Sequence, residues 1–448
     1  MSRGAAAPSP PSAVRSRVWV RVAVVAVFAT AVVATLATIR SSPGGVAAHE
    51  TQGVSRGSVA VGAIVTQSGP LAADFAPYLD GVRAYLASVN AAGGVHGRAV
   101  RLVAALDDMS VPTQDLSDAQ VLVDQDRVFA VVGVASPFFQ AASLLGRAGV
   151  PTFGFATADV WAGWPNLFAV GGSAIDEASI VPIVAYLARH LHARHVALLA
   201  LGVPASQAPC AAMGAGLGAD GVHVAYANLD LPVVLPDLAG DVVRMQQRGV
   251  DLVVSCMDVN SNVLLARAMR LHGMGAASLW LDGYDRGVLK ADGTVMGRVY
   301  LVVQHVPFEL AGGFAGLDQY LGAMRRAGYA AQRFSDVALA GWESAHLFVD
   351  GLRAAGAHPT EDAVVAAINA MAADTGGGVA PPVDWRDGHR SSAVPGPSCA
   401  ALVTTRGVDG PHPRFVVALA TPADPWVCVA GLPGAPRPVR PPAGTPLG

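Results

Sequence analysis

The stretch from residue 59 to residue 108 limits the possible folds more than any other part of this 448-residue chain. Residues 59–65 form a short apolar run of strand length, and turn-forming residues follow it directly. Apolar residues then recur at spacings of three and four from Phe75 to Val89, which predicts a helix with one buried face. Two glycines end that helix, and Ala99–Leu106 has the composition of a second buried strand. Because the connections are short, we expect the two strands to lie parallel in a βαβ unit.

Three motifs in this stretch resemble those of a known protein family. They are Ser68-Gly69-Pro70-Leu71, the turn NAAGGVHGR from Asn90 to Arg98, and the pair Asp107-Asp108. In this order and spacing they are similar to the opening of the type I periplasmic binding proteins, in the branch that binds branched-chain amino acids and amides. The resemblance covers about residues 58–429. It implies an α/β fold class with two doubly wound, Rossmann-like lobes, joined by three crossings and separated by a ligand cleft.

The alternation of short apolar runs and helical patterns continues through a first lobe and then begins again. Further strands of the first lobe are predicted at residues 128–132, 150–154 and 167–170, and a helix is predicted to begin at Pro137. A second helix, beginning near Asp176, opens the second lobe. Strands of the second lobe are predicted at residues 195–201, 222–228, 251–256, 278–281 and 300–303, and a hairpin at residues 400–405 and 414–420.

These elements give the domain boundaries. Lobe 1 is predicted to comprise residues 58–172 plus 305–378, and lobe 2 residues 173–304 plus 379–430. The family resemblance implies that the helices predicted between residues 314 and 371 pack on lobe 1. The Pro- and Gly-rich residues 431–448 are predicted to be a disordered tail.

Composition excludes some classes of function. Charged residues make up only 14% of the chain and apolar residues 52%, so the chain is too apolar to be disordered. Residues 1–48 contain five Arg and no acid, and without them 25 basic residues face 33 acidic ones, a net charge of −8. Proteins that bind nucleic acid usually have the opposite balance, so no nucleic-acid partner is predicted.

Residues 1–48 hold a basic start followed by 18 uncharged residues, from 22 to 39. This length reaches the lower limit of a membrane-spanning helix and exceeds the roughly 7–15-residue core of most signal peptides. Four arginines precede the run and Arg40 follows it, so the N-terminus is expected to stay in the cytoplasm. Two alternatives remain open, an uncleaved transmembrane helix and a signal peptide cleaved near residues 46–48. Either way the remainder is extracytoplasmic, tethered to the membrane or secreted.

Four cysteines in such a compartment favour two disulfides. Cys399 and Cys428 flank the predicted hairpin, which makes their pairing plausible. Cys210 and Cys256 follow the first and third strands of the second lobe, which are neighbours in the strand order 2-1-3-4-5. A free buried thiol is the alternative for each of them.

Ligand-binding residues are expected in loops after the strand ends, where open α/β sheets place their sites. In lobe 1, Ser136 follows a predicted strand and precedes a predicted helix, where backbone N–H groups attract an anion. Phe138 could wall the pocket, and Ser68 lies in the SGP loop. The family resemblance implies that Thr157 holds the polar end of the ligand. Trp161, which replaces the small or polar residue usual in the family, is expected as an aromatic wall.

In lobe 2 the loop Leu281-Asp282-Gly283-Tyr284-Asp285 resembles the one in which relatives place an acid against a ligand's ammonium group. Asp285 is the nearest match to that acid, and Tyr284 is expected to stack on the ligand or donate its hydroxyl. Two features depart from the family pattern. Pro137 has no N–H to offer a carboxylate, and the loop after strand 195–201 lacks the usual tyrosine.

No metal, cofactor or catalytic residue is predicted. The run His190, His192 and His195 straddles a helix end and a strand start, where cationic groups are ordinary. The sequence contains no GxSxG, HExxH or P-loop motif. Asp107 and Asp108 are the acids that an enzyme would use, but paired loop acids more often cap a turn. We therefore predict that the protein is not an enzyme.

Together these features predict a substrate-binding protein for ABC-type import of an amino acid, an amide or a small carboxylate. Its partners would be that small molecule, a membrane permease, and the membrane through the N-terminal helix. The alternative is a membrane-tethered sensor that uses the same domain without transport. Only 21 residues precede the apolar run, too few for a cytoplasmic output domain, which counts against a self-contained receptor. A site that has lost ligand binding is a further possibility.

Overall fold

The computed structural model describes residues 51–157, 159–173, 180–219, 221–390, 398–421 and 423–429. Its strands are β1 (Ser58–Val65), β2 (Ala99–Leu106), β3 (Ala130–Ala135), β4 (Thr152–Gly154), β5 (Leu167–Ala169), β6 (His195–Leu201), β7 (His223–Leu231), β8 (Leu252–Ser255), β9 (Ala277–Trp280), β10 (Val299–Val303), β11 (Ser398–Arg406), β12 (Arg414–Ala418) and β13 (Trp426–Val429). Its helices are α1 (Ala72–Phe75), α2 (Tyr78–Ala91), α3 (Pro112–Gln120), α4 (Ala142–Ala148), α5 (Val181–His190), α6 (Pro204–Ala219), α7 (Ala239–Gln247), α8 (Val259–Leu271), α9 (Arg286–Asp292), α10 (Ala315–Arg326), α11 (Asp336–Ala354) and α12 (Glu361–Asn369).

The first sheet contains five parallel strands in the order β2-β1-β3-β4-β5. All six residues of the central strand β3 are buried, as expected for a parallel sheet covered on both faces. Helix α11 packs on one face beside α2, where the rings of Tyr85 and Trp342 lie 4.6 Å apart. Further along α11, Phe348 contacts Phe153 of β4 at 5.5 Å. The implied packing of this C-terminal helix on the first lobe is therefore confirmed.

The second sheet has the order β12-β11-β10-β9-β8-β6-β7, and β13 also pairs with β11. Strands β6 to β10 are parallel in the predicted order 2-1-3-4-5, whereas β11 runs antiparallel to β10 and β12. Both predicted disulfides are present. Cys210 and Cys256 join α6 to the end of β8, with 6.0 Å between their Cα atoms. Cys399 and Cys428 are directly opposite each other in β11 and β13.

The chain passes three times between the two sheets, and these crossings lie side by side. The Ser173 N–H donates to the Gly388 carbonyl at 2.9 Å, which ties the first crossing to the last. The Val306 N–H donates to the Val379 carbonyl at 2.7 Å, which ties the second to the last. The three crossings of the predicted architecture are confirmed, while the domain boundaries within them stay predictions.

Several predictions fall outside the described residues. They are the apolar run 22–39, the helix start at Asp176 and the tail 431–448. Within the described ranges no helix is both long and apolar enough to span a membrane. One predicted helix is misplaced. The helix expected to begin at Pro137 begins at Ala142, because residues 136–141 form an irregular turn.

Candidate functional site

The carboxyl ends of the two sheets meet at α1 and the start of α8. Asp74 of α1 is only 8% exposed, and its Oδ1 accepts a hydrogen bond from the Val259 N–H at 2.8 Å. Asp258 caps α8 by accepting from the Asn260 and Ser261 N–H groups at 2.9 and 3.1 Å. An acid from the first half of the chain thus lies against a helix N-terminus of the second half, which is a favourable place for a carboxylate.

A second carboxyl group faces Asp74 at this point. Asp282, in the loop that follows β9, is half-buried and lies within hydrogen-bonding reach of the Asp74 carboxyl. Burial and the neighbouring charge of Asp282 raise the pKa of Asp74 well above its usual range, against the opposing effect of the Val259 N–H. Burial also raises the pKa of Asp282 to about 6. Ionising both facing carboxyls is costly, so this pair favours one shared proton over two negative charges.

A cavity of about 250 Å³ opens beside this pair. Its lining comes from α1 and the loop after it, from the second-lobe loops and from the segment before α11. The lining residues are Ala73, Pro77, Val259, Asp282, Tyr284, Asp285, Gly287, Val288, Gln332, Arg333, Ser335, Asp336 and Val337. Three acids and one arginine therefore line the cavity, and Arg333 is bound to Asp80 with 2.8 Å between its Nε and the carboxylate.

Tyr284 and Asp285, the two residues predicted to bind a ligand in this loop, both line this cavity and both have structural partners. The Tyr284 hydroxyl donates to Glu309 at 2.5 Å and accepts from the Phe308 N–H at 2.7 Å. Asp285 caps α9 by accepting from the Gly287 and Val288 N–H groups at 2.5 and 2.9 Å. The Tyr284 hydroxyl is therefore bonded on both sides, whereas both capping bonds to Asp285 go to its Oδ1.

The strand ends of the first sheet carry a different set of acids. Asp108 is fully buried and accepts from the Thr66 hydroxyl at 2.5 Å, the Ser110 N–H at 3.1 Å and the Ser136 hydroxyl. Asp107, which is more exposed, accepts from the Ser68 hydroxyl at 2.6 Å. Asp107 and Asp108, the acids that an enzyme would use for proton transfer, therefore hold the surrounding loops together through hydrogen bonds.

The remaining predicted residues of lobe 1 lie close to Ser136. The Thr157 hydroxyl donates to the Ser136 carbonyl at 2.9 Å, and the Phe138 N–H donates to the Ser136 hydroxyl at 3.2 Å. Trp161 instead lies in the core, fully buried with its ring 4.5 Å from Phe139. A Cβ at Gly154 would lie 2.4 Å from the Trp161 ring, so the glycine makes room for it. Trp161 therefore contributes no surface to the cavity.

The crossing that follows β10 contains a buried ionic network. Nδ1 of His305 lies 2.5 Å from Asp336, and Nε2 lies 3.0 Å from Glu343. Burial alone would lower the pKa of His305, but the two carboxylates raise it well above its usual range. A charged imidazole thus joins this crossing to two acids of α11. Among the described residues, no group of three or more His, Cys, Asp or Glu side chains is arranged to hold a metal ion.

Sequence reasoning missed Asp74, Asp282 and His305. Asp282 stands in the loop motif that pointed to Asp285, and the motif alone does not tell which of the two carboxyls faces the other lobe. Asp74 gave no signal, because a single acid in a short helix after an SGP loop is usually a solvated charge. His305 gave none either, because its partners come from a helix far along the chain.

Two α/β sheets joined by three crossings, with a cavity between α1 and the loops that follow β8 and β9, define the class of two-lobed ligand-binding proteins. The chain belongs to the periplasmic binding protein family, whose model matches residues 58–404. Members of this family are, in general, binding proteins and not enzymes. A search of curated proteins finds no match.

Solved structures share this fold at low sequence identity. An ABC transporter substrate-binding protein from Aeropyrum pernix has a TM-score of 0.68 and 18% identity, with 81% of this chain and 94% of that chain covered. A solute-binding protein from Rhodopseudomonas palustris HaA2, in complex with p-hydroxybenzoic acid, has a TM-score of 0.67 and 19% identity, with 79% and 94% covered. A branched-chain amino acid transporter substrate-binding protein from Streptococcus pneumoniae, in complex with isoleucine, has a TM-score of 0.64 and 18% identity, with 81% and 100% covered. These likenesses confirm the predicted fold class.

Proposed function

We propose that this protein is an extracytoplasmic solute-binding protein that captures a small polar ligand between its lobes and delivers it to the permease of an ABC transporter. The observation that carries the proposal is a cavity at the contact between α1, the segment before α11 and the loops that follow β8 and β9. There the Val259 N–H of the second lobe bonds Asp74 of the first, and Asn260 reaches the Pro70 carbonyl at 3.5 Å. Family membership adds independent support.

The mechanism is reversible closure around the three crossings, without covalent chemistry. Because the crossings run side by side and bond to one another, they form a narrow connection about which the lobes can rotate. The cavity volume of about 250 Å³ suits a ligand the size of an amino acid or an aromatic acid. The N-terminal apolar run would either anchor the protein beside its permease or direct its secretion.

The test is a thermal-shift and calorimetric screen of the full chain, purified in mild detergent, against amino acids, amides, amines and small carboxylates. A ligand at about 100 times its Kd should stabilise the protein by about 2.7 kcal/mol, and micromolar affinity corresponds to about −8 kcal/mol. Ala73→Trp puts a bulky ring at an exposed position on the rim of the cavity and should abolish binding. Ala354→Trp, at an exposed position late in α11, is the matched control and should bind normally.

If no compound in the screen binds, solute capture is contradicted, and a sensor that responds to a protein partner becomes the better explanation. If a compound binds equally well to both tryptophan variants, the protein binds solutes but not in this cavity.

A further inference from the structure

The hydroxyl groups at the carboxyl edge of the first sheet, which are not among the residues lining the cavity, present hydrogen-bond acceptors and few donors. The hydroxyl hydrogens of Ser68, Ser136 and Thr157 are directed to Asp107, Asp108 and a backbone carbonyl respectively. Each hydroxyl oxygen keeps lone pairs, which bind N–H groups and not carboxylates.

Backbone donors are also scarce at this edge. After β3 the chain enters Pro137, which has no N–H, and the next N–H, of Phe138, is bound to Ser136. Helix α4 does not begin until Ala142, and its entry is bound by an acid of α3, since Asp115 accepts from the Ala141 N–H at 2.9 Å. No free helix N-terminus therefore faces the cleft after β3 to hold an anion.

The facing edge is acidic and incompletely satisfied. Asp74 is more than nine-tenths buried, and its Oδ2 has no N–H or O–H donor among the described residues. That oxygen belongs to the carboxyl group that faces Asp282, which lines the cavity, while Asp258 and Asp336 add negative charge nearby. The arginine of the lining, Arg333, is already paired with Asp80. A buried carboxylate oxygen without a donor is costly, so this position favours a cation.

We propose that the cleft takes a ligand that carries a protonated amine and no carboxylate, and that this ammonium group replaces the proton shared by Asp74 and Asp282. The ligand would then be held by one carboxylate from each lobe, and the released proton would pass to solvent. This inference rests on the proposed function and narrows its ligand class. It differs from what the two neighbours with p-hydroxybenzoic acid and isoleucine bind, because both of those ligands carry a carboxylate.

Three probes of nearly equal size separate the possibilities. Leucine is zwitterionic, isoamylamine is leucine without its carboxylate, and isocaproate is leucine without its amine. Calorimetry of each probe with the full chain at neutral pH should give at least about tenfold tighter binding of isoamylamine than of isocaproate, as a charge-assisted contact to a carboxylate implies. Repeating the isoamylamine titration in buffers of different ionisation enthalpy should show release of a fraction of a proton up to one.

Variants of Asp74 and Asp282 test whether these two residues bind the amine. Asp74→Asn and Asp282→Asn should each weaken isoamylamine binding by about tenfold or more and abolish proton release. Asp124→Asn, at an exposed acid after α3, is the control and should change neither quantity. Because asparagine mimics the protonated carboxyl in shape, both cleft variants should fold.

Three outcomes would overturn the inference. They are isocaproate binding as tightly as isoamylamine, isoamylamine binding unchanged by both cleft variants, and no binding of isoamylamine. In the first two the solute-binding function survives and only the ligand class fails. In the third, a carboxylate or amide found in the wider screen would preserve the function and exclude the cation.

Discussion

The acids at the two sides of the cleft differ in how their oxygens are satisfied. Asp108, at the end of the first sheet, receives three hydrogen bonds from Thr66, Ser110 and Ser136. Asp74, at the contact between lobes, receives one from a backbone N–H and faces a second carboxyl. A fully bonded buried acid fixes the loops around it, whereas a partly bonded acid is a place where a proton or a cation must enter. We therefore predict that Asp108 acts as scaffold and that the Asp74 carboxyl responds to ligand and pH.

The largest loss of stability is expected at His305, which bonds the buried Glu343 and the half-buried Asp336 at once. His305→Ala should lower the free energy of unfolding by about 3–5 kcal/mol, because it leaves Glu343 and Asp336 without their cation. Since the folded pKa of His305 is raised, the stabilisation is present at neutral pH and is lost as the pH rises through that value. Urea unfolding measures the loss, and exposed His358→Ala is the control. A loss below about 1 kcal/mol would contradict the ionic network.

The second-largest loss of stability is expected when the carboxylate of Asp108 is removed. Asp108→Ala leaves the Thr66 and Ser136 hydroxyls without their acceptor, and we expect a loss of about 2–3 kcal/mol. Asp124→Ala, with an exposed side chain, should stay within about 0.5 kcal/mol of the wild type in the same denaturation experiment. Equal losses in both variants would remove the distinction between a scaffold acid and a surface acid.

The Asp74–Asp282 pair should make the free energy of unfolding depend on pH. Because the folded pKa values of Asp74 and Asp282 lie above the ordinary aspartate value, their contribution to stability is complete at acidic pH and is lost as the pH rises through the raised values. Between about pH 4 and pH 8 this amounts to about 1–3 kcal/mol. Asp74→Asn should reduce the slope of melting temperature against pH, while Asp115, whose pKa burial raises to about 7, still contributes. A variant profile parallel to that of the wild type would show that the pair is not coupled to folding.

The smallest effect is expected at the acid that the sequence singled out. Asp285→Ala should cost about 1 kcal/mol through loss of the α9 cap, whereas Asp285→Asn, which keeps a capping oxygen, should be nearly neutral. Ligand affinity in the asparagine variant should match that of the wild type. A tenfold weaker ligand affinity in Asp285→Asn would indicate that Asp285 binds the ammonium group of the ligand.

Local patterns predicted the elements of this fold well. Strands β2 and β6 have the predicted bounds. The strand order of a doubly wound lobe placed Cys210 near Cys256, and the predicted hairpin placed Cys399 near Cys428. These features depend on hydrophobic periodicity and on the rules of parallel sheets, and both can be inferred from local sequence.

The site was less predictable, because its contacts join distant segments. Pro137 suited a helix start, yet the N–H groups at the start of α4 are bound by Asp115 from the preceding helix, which moves that start to Ala142. Likewise, Asp74 and Asp282 acquire their raised pKa values only when the two lobes meet. Single-sequence rules describe caps and turns within a few residues and do not see such partners.

The most direct test of the cleft is a distance measured between its two sides. Val111 and Val234 are exposed, 41% and 71% respectively, near the ends of β2 and β7, and all four native cysteines are paired, so cysteines placed there accept spin labels selectively. We expect the distances from double electron–electron resonance to lengthen between about pH 5 and about pH 8 as Asp282 ionises, and to shorten again when isoamylamine is added. The same labels on an Asp74→Asn background should show no change with pH. Identical distances in the wild type at both pH values, with and without the amine, would contradict closure through this carboxyl pair.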